Sequence, residues 1–277
     1  MMLIAVAELV TRSDAIIVDC RFNLLEPAAG RQAWQAGHIP GAFYADLDQD
    51  LAAARPAAGV DDRGRHPLPA RKAFAALLGS WGLTPGTLLV AYDDVGGAIA
   101  ARLWWLLRRA GHAHVALLDG GLQAWQNDGL PLTTEPPFLQ SRDYPLRDAT
   151  VSSLTATDVA QGLERDDLTL IDARDAARFA GQAEPLDPRA GHVPGALSRP
   201  FSDNLEDGLF KSPGQLRQEF DELLAGRTAP VISMCGSGVT ACHNLFAMEL
   251  AGLPSGRLFE GSWSGWLADA GRPVATG

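Results

Sequence analysis

The chain repeats itself, and no other feature of the sequence constrains its fold as strongly. Gly37-His38-Ile39-Pro40-Gly41-Ala42 recurs as Gly191-His192-Val193-Pro194-Gly195-Ala196. Ile17-Val18-Asp19-Cys20-Arg21 recurs as Leu170-Ile171-Asp172-Ala173-Arg174. Leu118-Asp119-Gly120-Gly121-Leu122-Gln123-Ala124-Trp125 recurs as Phe259-Glu260-Gly261-Ser262-Trp263-Ser264-Gly265-Trp266. The order is kept and the offsets are 154, 153 and 141 residues, so the second copy is shorter in its middle. Matched blocks in one order across two long copies mean a duplicated domain, not a solenoid of short units. The length of 277 residues agrees, being long for one core and comfortable for two.

Both copies read as α/β. The first offers a β-rich run at 15–18, apolar strands at 87–92 and 115–118, and a helical stretch at 98–110 that carries Trp104, Trp105 and Leu107. The second offers strands at 168–171, 230–234 and 257–259 and a helix at 241–250. Strands alternating with helices predict, in each copy, a mainly parallel sheet flanked by helices. Thr155 and Asp158 form a capping-box pattern that opens the first helix of the second copy. Prolines and polar residues without periodicity mark a linker, so the domains are expected at 1–135 and 151–277 with 136–150 between them. Residues 61–67 read as a polar loop inside the first domain.

Composition narrows the function. A formal net charge of −10 disfavours binding to phosphate backbones, so nucleic acid is not expected as a partner. No apolar run approaches the roughly 20 residues of a membrane helix, and the start from Met1 to Glu8 lacks the basic flank of a signal peptide. Three cysteines, Cys20, Cys235 and Cys242, are too few and odd in number for a disulfide framework. A reducing, cytoplasmic setting is the expectation. His112 and His114 lack companions for a metal site and read as solvated.

The chemistry concentrates at Cys235. An apolar strand ends at Met234, then come Cys235-Gly236-Ser237-Gly238-Val239-Thr240, then a helix. Ligands in open α/β sheets sit at the carboxyl ends of strands. Two glycines let successive N–H groups turn toward one point, and the helix N-terminus adds partial positive charge. Such a cradle favours the thiolate of Cys235 and would hold an anionic persulfide. Cys242 lies early in the helix and reads as packing; Cys20 ends a strand and reads as structural.

These blocks resemble the rhodanese superfamily, and the Cys-Gly-Ser-Gly-Val-Thr loop resembles its 3-mercaptopyruvate sulfurtransferase branch. The resemblance spans nearly the whole chain and implies two tandem rhodanese-like domains with only the second catalytic. Asp93 stands at the cysteine position of the first copy, and a carboxylate cannot take up sulfane sulfur. The implied activity is transfer of sulfur from 3-mercaptopyruvate through a Cys235 persulfide to cyanide or to a thiol such as thioredoxin or glutathione, without cofactor or metal. The resemblance also implies that Gly236, Gly238, Val239 and Thr240 surround the sulfur and that Ser237 relays a proton. It implies a hydrogen-bonding role for a histidine of the first domain, assigned to His38, and a donor-carboxylate role for Arg178. His66 matches a family segment without an assigned role.

The match has one departure. Family members often carry Glu-Pro-Arg where this chain reads Glu184-Pro185-Leu186-Asp187-Pro188-Arg189. Arg189, three residues on, is the candidate substitute. Thiosulfate therefore stays open as a donor, although the loop lacks the basic residues that suit that dianion. A persulfide relay or binding module for a partner protein is the other alternative. A cysteine phosphatase is disfavoured because Cys-x5-Arg would need arginine where Ala241 stands. A dinucleotide site is disfavoured because only 36 residues follow the Gly236–Ala241 match.

Overall fold

The computed structural model describes residues 2–55, 59–138 and 140–277; Met1 and Leu139, parts of the expected N-terminal and linker readings, lie outside the described residues. The chain divides into two compact units. One comprises Met1–Ala53 and Pro69–Thr150, the other Ala54–Leu68 and Val151–Gly277. No described helix is long and apolar enough to cross a membrane.

The first unit runs β1 (Leu3–Ile4), α1 (Val6–Leu9), β2 (Ile16–Asp19), α2 (Ala28–Ala36), β3 (Phe43–Tyr44), α3 (Arg71–Ser80), β4 (Leu89–Tyr92), α4 (Ala100–Arg109), β5 (Val115–Leu118) and α5 (Gly121–Asn127). Its five strands lie in the order β1-β5-β4-β2-β3, and every pairing is parallel. The second unit runs β6 (Ser153–Leu154), α6 (Ala156–Glu164), β7 (Thr169–Asp172), α7 (Ala176–Phe179), β8 (Leu197–Ser198), a 3-10 turn, a short β9–β10 hairpin (Leu205–Glu206, Leu209–Phe210), α8 (Pro213–Leu223), β11 (Val231–Met234), α9 (Ala241–Leu250), β12 (Arg257–Phe259) and α10 (Ser262–Trp266). Its sheet, β6-β12-β11-β7-β8, repeats the first strand for strand. The repeat therefore places β4 and β11 at the centre of equivalent sheets. Helices on both faces bury parallel strands completely, which is why β4 and β5 are continuous apolar runs and why β4, β5 and β7 have no exposed position.

The two-residue strands β1, β3, β6 and β8 were not legible, being too short for any periodicity. The Thr155–Asp158 capping box forms as expected. The Asp-x-Arg pairs of the two copies do the same job. Arg21 grips Asp19 through two nitrogens and reaches the carbonyl of Gly37; Arg174 grips Asp172 and reaches that of Gly191. Each buried guanidinium ties the end of a strand to the Gly-His turn.

In the segment read as a linker, Arg142 N–H donates to Gly79 O, Arg147 N–H to Ala110 O, and Tyr144 is buried. Two expectations change. The polar loop at 61–67 packs with the second unit rather than the first. There the carbonyl of Asp62 lies against the Cα atoms of Gly261 and Gly265, where a methyl group would meet it at 2.1 and 2.5 Å. His112 is buried instead of solvated, its ring nitrogens meeting the Tyr144 hydroxyl at 3.0 Å and His114 O at 3.0 Å. Burial lowers the His112 pKa from 6.5. The unfolded chain then binds the proton more tightly than the native one. His112's contribution to stability is therefore present above pH 6.5 and lost as pH falls below it. Between pH 7 and 5 the unfolding free energy should fall by at most about 1.4 kcal/mol per pH unit from this group, lowering Tm with it, and His112→Gln should flatten that slope. Parallel Tm–pH curves for the two proteins would contradict it.

Candidate active site

Cys235 follows directly on β11, the central strand of the second sheet, and is 2% exposed. The loop after it is shaped from outside. Trp263 N–H donates to Cys235 O at 2.9 Å and Ser264 N–H to Gly236 O at 3.0 Å. With its carbonyls held outward, the loop turns its N–H groups inward. Gly238 N–H reaches the Cys235 Sγ at 3.1 Å and Ser237 N–H at 3.5 Å. Gly238 has φ +78°, a conformation that glycine takes at no steric cost. Val239 and Thr240 turn the chain into α9, their carbonyls accepting from Cys242 and His243. Residues 241–248 of α9 are all buried, so the helix is a fixed post behind the loop. Cys242 is wholly buried, and its thiol donates to Gly238 O at 3.4 Å, in keeping with a packing role.

The first unit contains the same loop with a different occupant. Asp93, next after β4, places Oδ1 on the N–H groups of Val95 and Gly97 at 2.9 and 2.8 Å. Its Oδ2 accepts from Ile99 and Ala100 at 2.8 and 2.9 Å. Leu122 N–H donates to Asp93 O, as Trp263 N–H does to Cys235 O. The strand–loop–helix junction thus holds a carboxylate in one copy and a sulfur in the other, and the backbone polarity is suited to an anion in both. Burial pushes the Asp93 carboxyl up against the pull of those four N–H groups.

Ser262 is a second difference between the copies. Its φ of +51° matches +56° at the equivalent Gly121. A side chain in this conformation costs about 1–2 kcal/mol. In the second copy the hydroxyl accepts from Cys235 N–H at 3.1 Å and donates to Phe259 O at 2.9 Å. The strain is offset by a fixed backbone under the cysteine.

Ser237 Oγ meets His66 Nδ1 at 2.7 Å, in buried surroundings. The two are 171 residues apart in sequence, and the loop at 54–68 carries the histidine into the second unit. The imidazole at the Ser237 hydroxyl is thus that of His66, where His38 was expected. His38 instead stacks on Trp34 at 4.4 Å, with its nitrogens on the carbonyls of Trp34 and Glu135. Its repeat partner His192 stacks on Phe179 at 3.8 Å and meets Phe179 O. Turn histidines in both copies thus brace a turn against an aromatic ring.

The charged groups converge above Gly236. A methyl group on its Cα would lie 3.3 Å from Arg65 Nη2 and 3.5 and 3.6 Å from the terminal nitrogens of Arg178. Arg178 pairs with Glu184 at 2.7 Å and Arg65 with Asp187 at 2.7 Å. Arg174, stacked on Trp263 at 4.6 Å, lies among Asp172, Glu184 and Cys235. Burial works against its charge, yet the carboxylates of Asp172 and Glu184 keep its pKa above the ordinary value. Arg189 does not join this group: its side chain is exposed and its carbonyl accepts from the Trp263 indole. Arg65, Glu184, Asp187 and Ser262 reach this site from three separate segments, which only folding brings to the cysteine.

Comparison with known proteins gives one consistent result. The profile of the rhodanese-like domain matches residues 5–128 and again 155–269. A Pseudomonas aeruginosa protein named "probable 3-mercaptopyruvate sulfurtransferase" is 50% identical over 268 residues, covering 95% of this chain and 93% of that protein. The thiosulfate sulfurtransferase of Bos taurus is 37% identical over 249 residues, covering 86% and 80%. The crystal structure of the Escherichia coli 3-mercaptopyruvate sulfurtransferase SseA superposes with a TM-score of 0.80 at 29% identity, over 95% of this chain and 99% of that one.

Proposed function

We infer, from a chain that belongs to the rhodanese-like domain family in both of its halves, that this protein is a sulfurtransferase working through a Cys235 persulfide, with 3-mercaptopyruvate as donor. The observation that carries the reading is the cradle: loop N–H groups aimed at the Cys235 sulfur, at the end of the central strand, beneath two guanidinium groups.

In the first half-reaction the Cys235 thiolate attacks the donor sulfur, forming an S–S bond as the C–S bond breaks. The electron pair stays with carbon, and pyruvate leaves as its enolate. The enolate takes up a proton at carbon while the new persulfide gives one up, so charge and atoms balance. The Ser237–His66 pair is the group positioned to handle that proton. The persulfide anion then rests on the same loop N–H groups. In the second half-reaction an acceptor thiolate or cyanide attacks the outer sulfur, leaving as a persulfide or as thiocyanate and restoring the Cys235 thiolate. Arg178 is suited to the donor carboxylate, since a guanidinium grips a carboxylate through two parallel hydrogen bonds. A small thiol such as glutathione, or a thiol protein such as thioredoxin, is the acceptor that fits a reducing cytoplasm. That setting suits a chain whose three cysteines are all unpaired.

The test compares kcat/KM for 3-mercaptopyruvate and thiosulfate, with cyanide as common acceptor, in wild type and Ser237→Ala. We expect wild type to favour 3-mercaptopyruvate at least about tenfold. We expect Ser237→Ala to lower kcat for that donor about 100-fold. Thiosulfate turnover should suffer less, because sulfite departs without needing a proton. A preference for thiosulfate would overturn the donor and leave the persulfide chemistry. Turnover of neither donor would overturn the enzyme reading in favour of a relay or binding module.

A further inference from the structure

The 184–189 segment has its one arginine at Arg189, which is exposed and apart from the charged group above the loop. The structure nevertheless has two guanidinium groups above the loop, and the second comes from a distant segment. Arg65 Nη1 lies 2.7 Å from Asp187 Oδ1, and Arg65 Nη2 lies 3.3 Å from Asp187 Oδ2. Arg178 Nη2 reaches that same Oδ2 at 3.4 Å. One carboxylate is thus seated between two arginines, immediately over the residue that follows Cys235.

Three observations mark this as a binding arrangement, beyond a structural ion pair. First, Arg65 Nε is a buried donor with no hydrogen-bond partner among the described residues. A buried unpaired donor is costly, and it leaves Arg65 with hydrogen-bonding capacity that Asp187 does not use. Second, the two arginine side chains keep 12% and 14% of their surface exposed, whereas the Asp187 side chain keeps 4%, so the guanidinium edges remain reachable. Third, Glu184 is held by Arg174 and Arg178 together, but Asp187 has no partner side chains among the described residues other than this pair. Of the two acids, Asp187 is the one that can yield its place.

We propose that Arg65 and Arg178 form one carboxylate clamp above Cys235, with Asp187 as its resting occupant and the donor's carboxylate as its working one. The proposal rests on the reading of Cys235 as the sulfur-accepting nucleophile. Exchange of one carboxylate for another keeps the charge of the cluster constant, so the donor enters without stranding a buried cation. Arg65 thereby supplies, from the 54–68 loop, the second guanidinium that the 184–189 segment lacks.

The test needs no assumption about the donor. Iodoacetate and iodoacetamide alkylate the same thiolate with loss of iodide and differ chiefly in that the first bears a carboxylate. The ratio of their rates at Cys235, followed by peptide mass spectrometry, reads the clamp. Any change in the thiolate itself moves both rates together and leaves the ratio alone. We expect Arg65→Met to lower the iodoacetate-to-iodoacetamide ratio about 10- to 100-fold. Arg65→Lys should recover part of that loss by keeping the charge without the fork, and Asp187→Asn should raise the ratio above wild type. With 3-mercaptopyruvate, Arg65→Met should raise KM by a similar factor. An unchanged ratio in a folded Arg65→Met or Arg65→Lys protein would overturn the clamp, even if wild type uses 3-mercaptopyruvate. A lowered ratio in a protein that turns over no 3-mercaptopyruvate would uphold the clamp and overturn the donor.

Discussion

Cys235→Ser removes sulfur transfer while leaving the fold in place. A serine hydroxyl can occupy the loop cradle and accept from the N–H groups of Ser237 and Gly238, so stability should change by less than about 1 kcal/mol. It cannot carry sulfane sulfur, so turnover should fall at least about 1,000-fold. Intact-mass measurement separates this from indirect damage. Wild type incubated with donor should gain the mass of one sulfur atom and lose it again to cyanide, and the variant should gain none. The other two thiols are not substitutes. Cys20 is fully buried, and burial together with the nearby charges of Asp93, Asp19 and Asp50 pushes its pKa well above the ordinary thiol value. Cys242 is buried in the first turn of α9 with its thiol on Gly238 O. Sulfur found on either of them, or residual turnover by the serine variant, would contradict the assignment of Cys235 as the carrier.

Asp93→Asn should destabilise the protein far more than the serine substitution, although Asp93 takes up no sulfur. Its carboxylate satisfies four buried N–H groups, two on each oxygen. The asparagine side chain is nearly the same shape but brings an NH2 group to one of those pairs. Two buried donors then face another donor, at a side chain that is wholly buried. Each buried unsatisfied donor costs about 1–3 kcal/mol, so the expected loss is about 2–6 kcal/mol. Calorimetry should show it as a clear drop in Tm, and a shift below about 1 kcal/mol would mean that the loop relaxes around the amide. The contrast between the two substitutions follows from one geometry. The first copy's cradle is filled by a permanent internal carboxyl group, and the second copy's is left for an anion that comes and goes.

Much of this was legible before any coordinates. The three repeated blocks announced two equivalent domains, and the strand–cysteine–glycine–helix pattern located the loop, because both are local in the chain. Strands β5 and β12 and helix α9 have the residues expected of them. Long apolar runs with helical or extended periodicity leave little freedom in where an element begins and ends. The role of the turn histidines was less accessible. His38 and His192 share a motif, but motif alone does not say whether the imidazole faces a reacting atom or a neighbouring ring. The structure puts each against an aromatic side chain and a backbone carbonyl.

What the sequence determined by itself is the chemistry on offer: a duplicated α/β frame, one sulfur nucleophile in an anion-binding loop, and an aspartate where its twin would be. What only the tertiary structure decided is the company that nucleophile keeps. His66 on Ser237, Arg65 beside Arg178, and Ser262 beneath Cys235 come from segments whose separation along the chain carries no trace of their meeting. The physical reason is that side-chain hydrogen bonds and ion pairs act over a few ångströms of space. Sequence patterns record periodicity within one element, and the fold alone fixes which loop crosses which strand end.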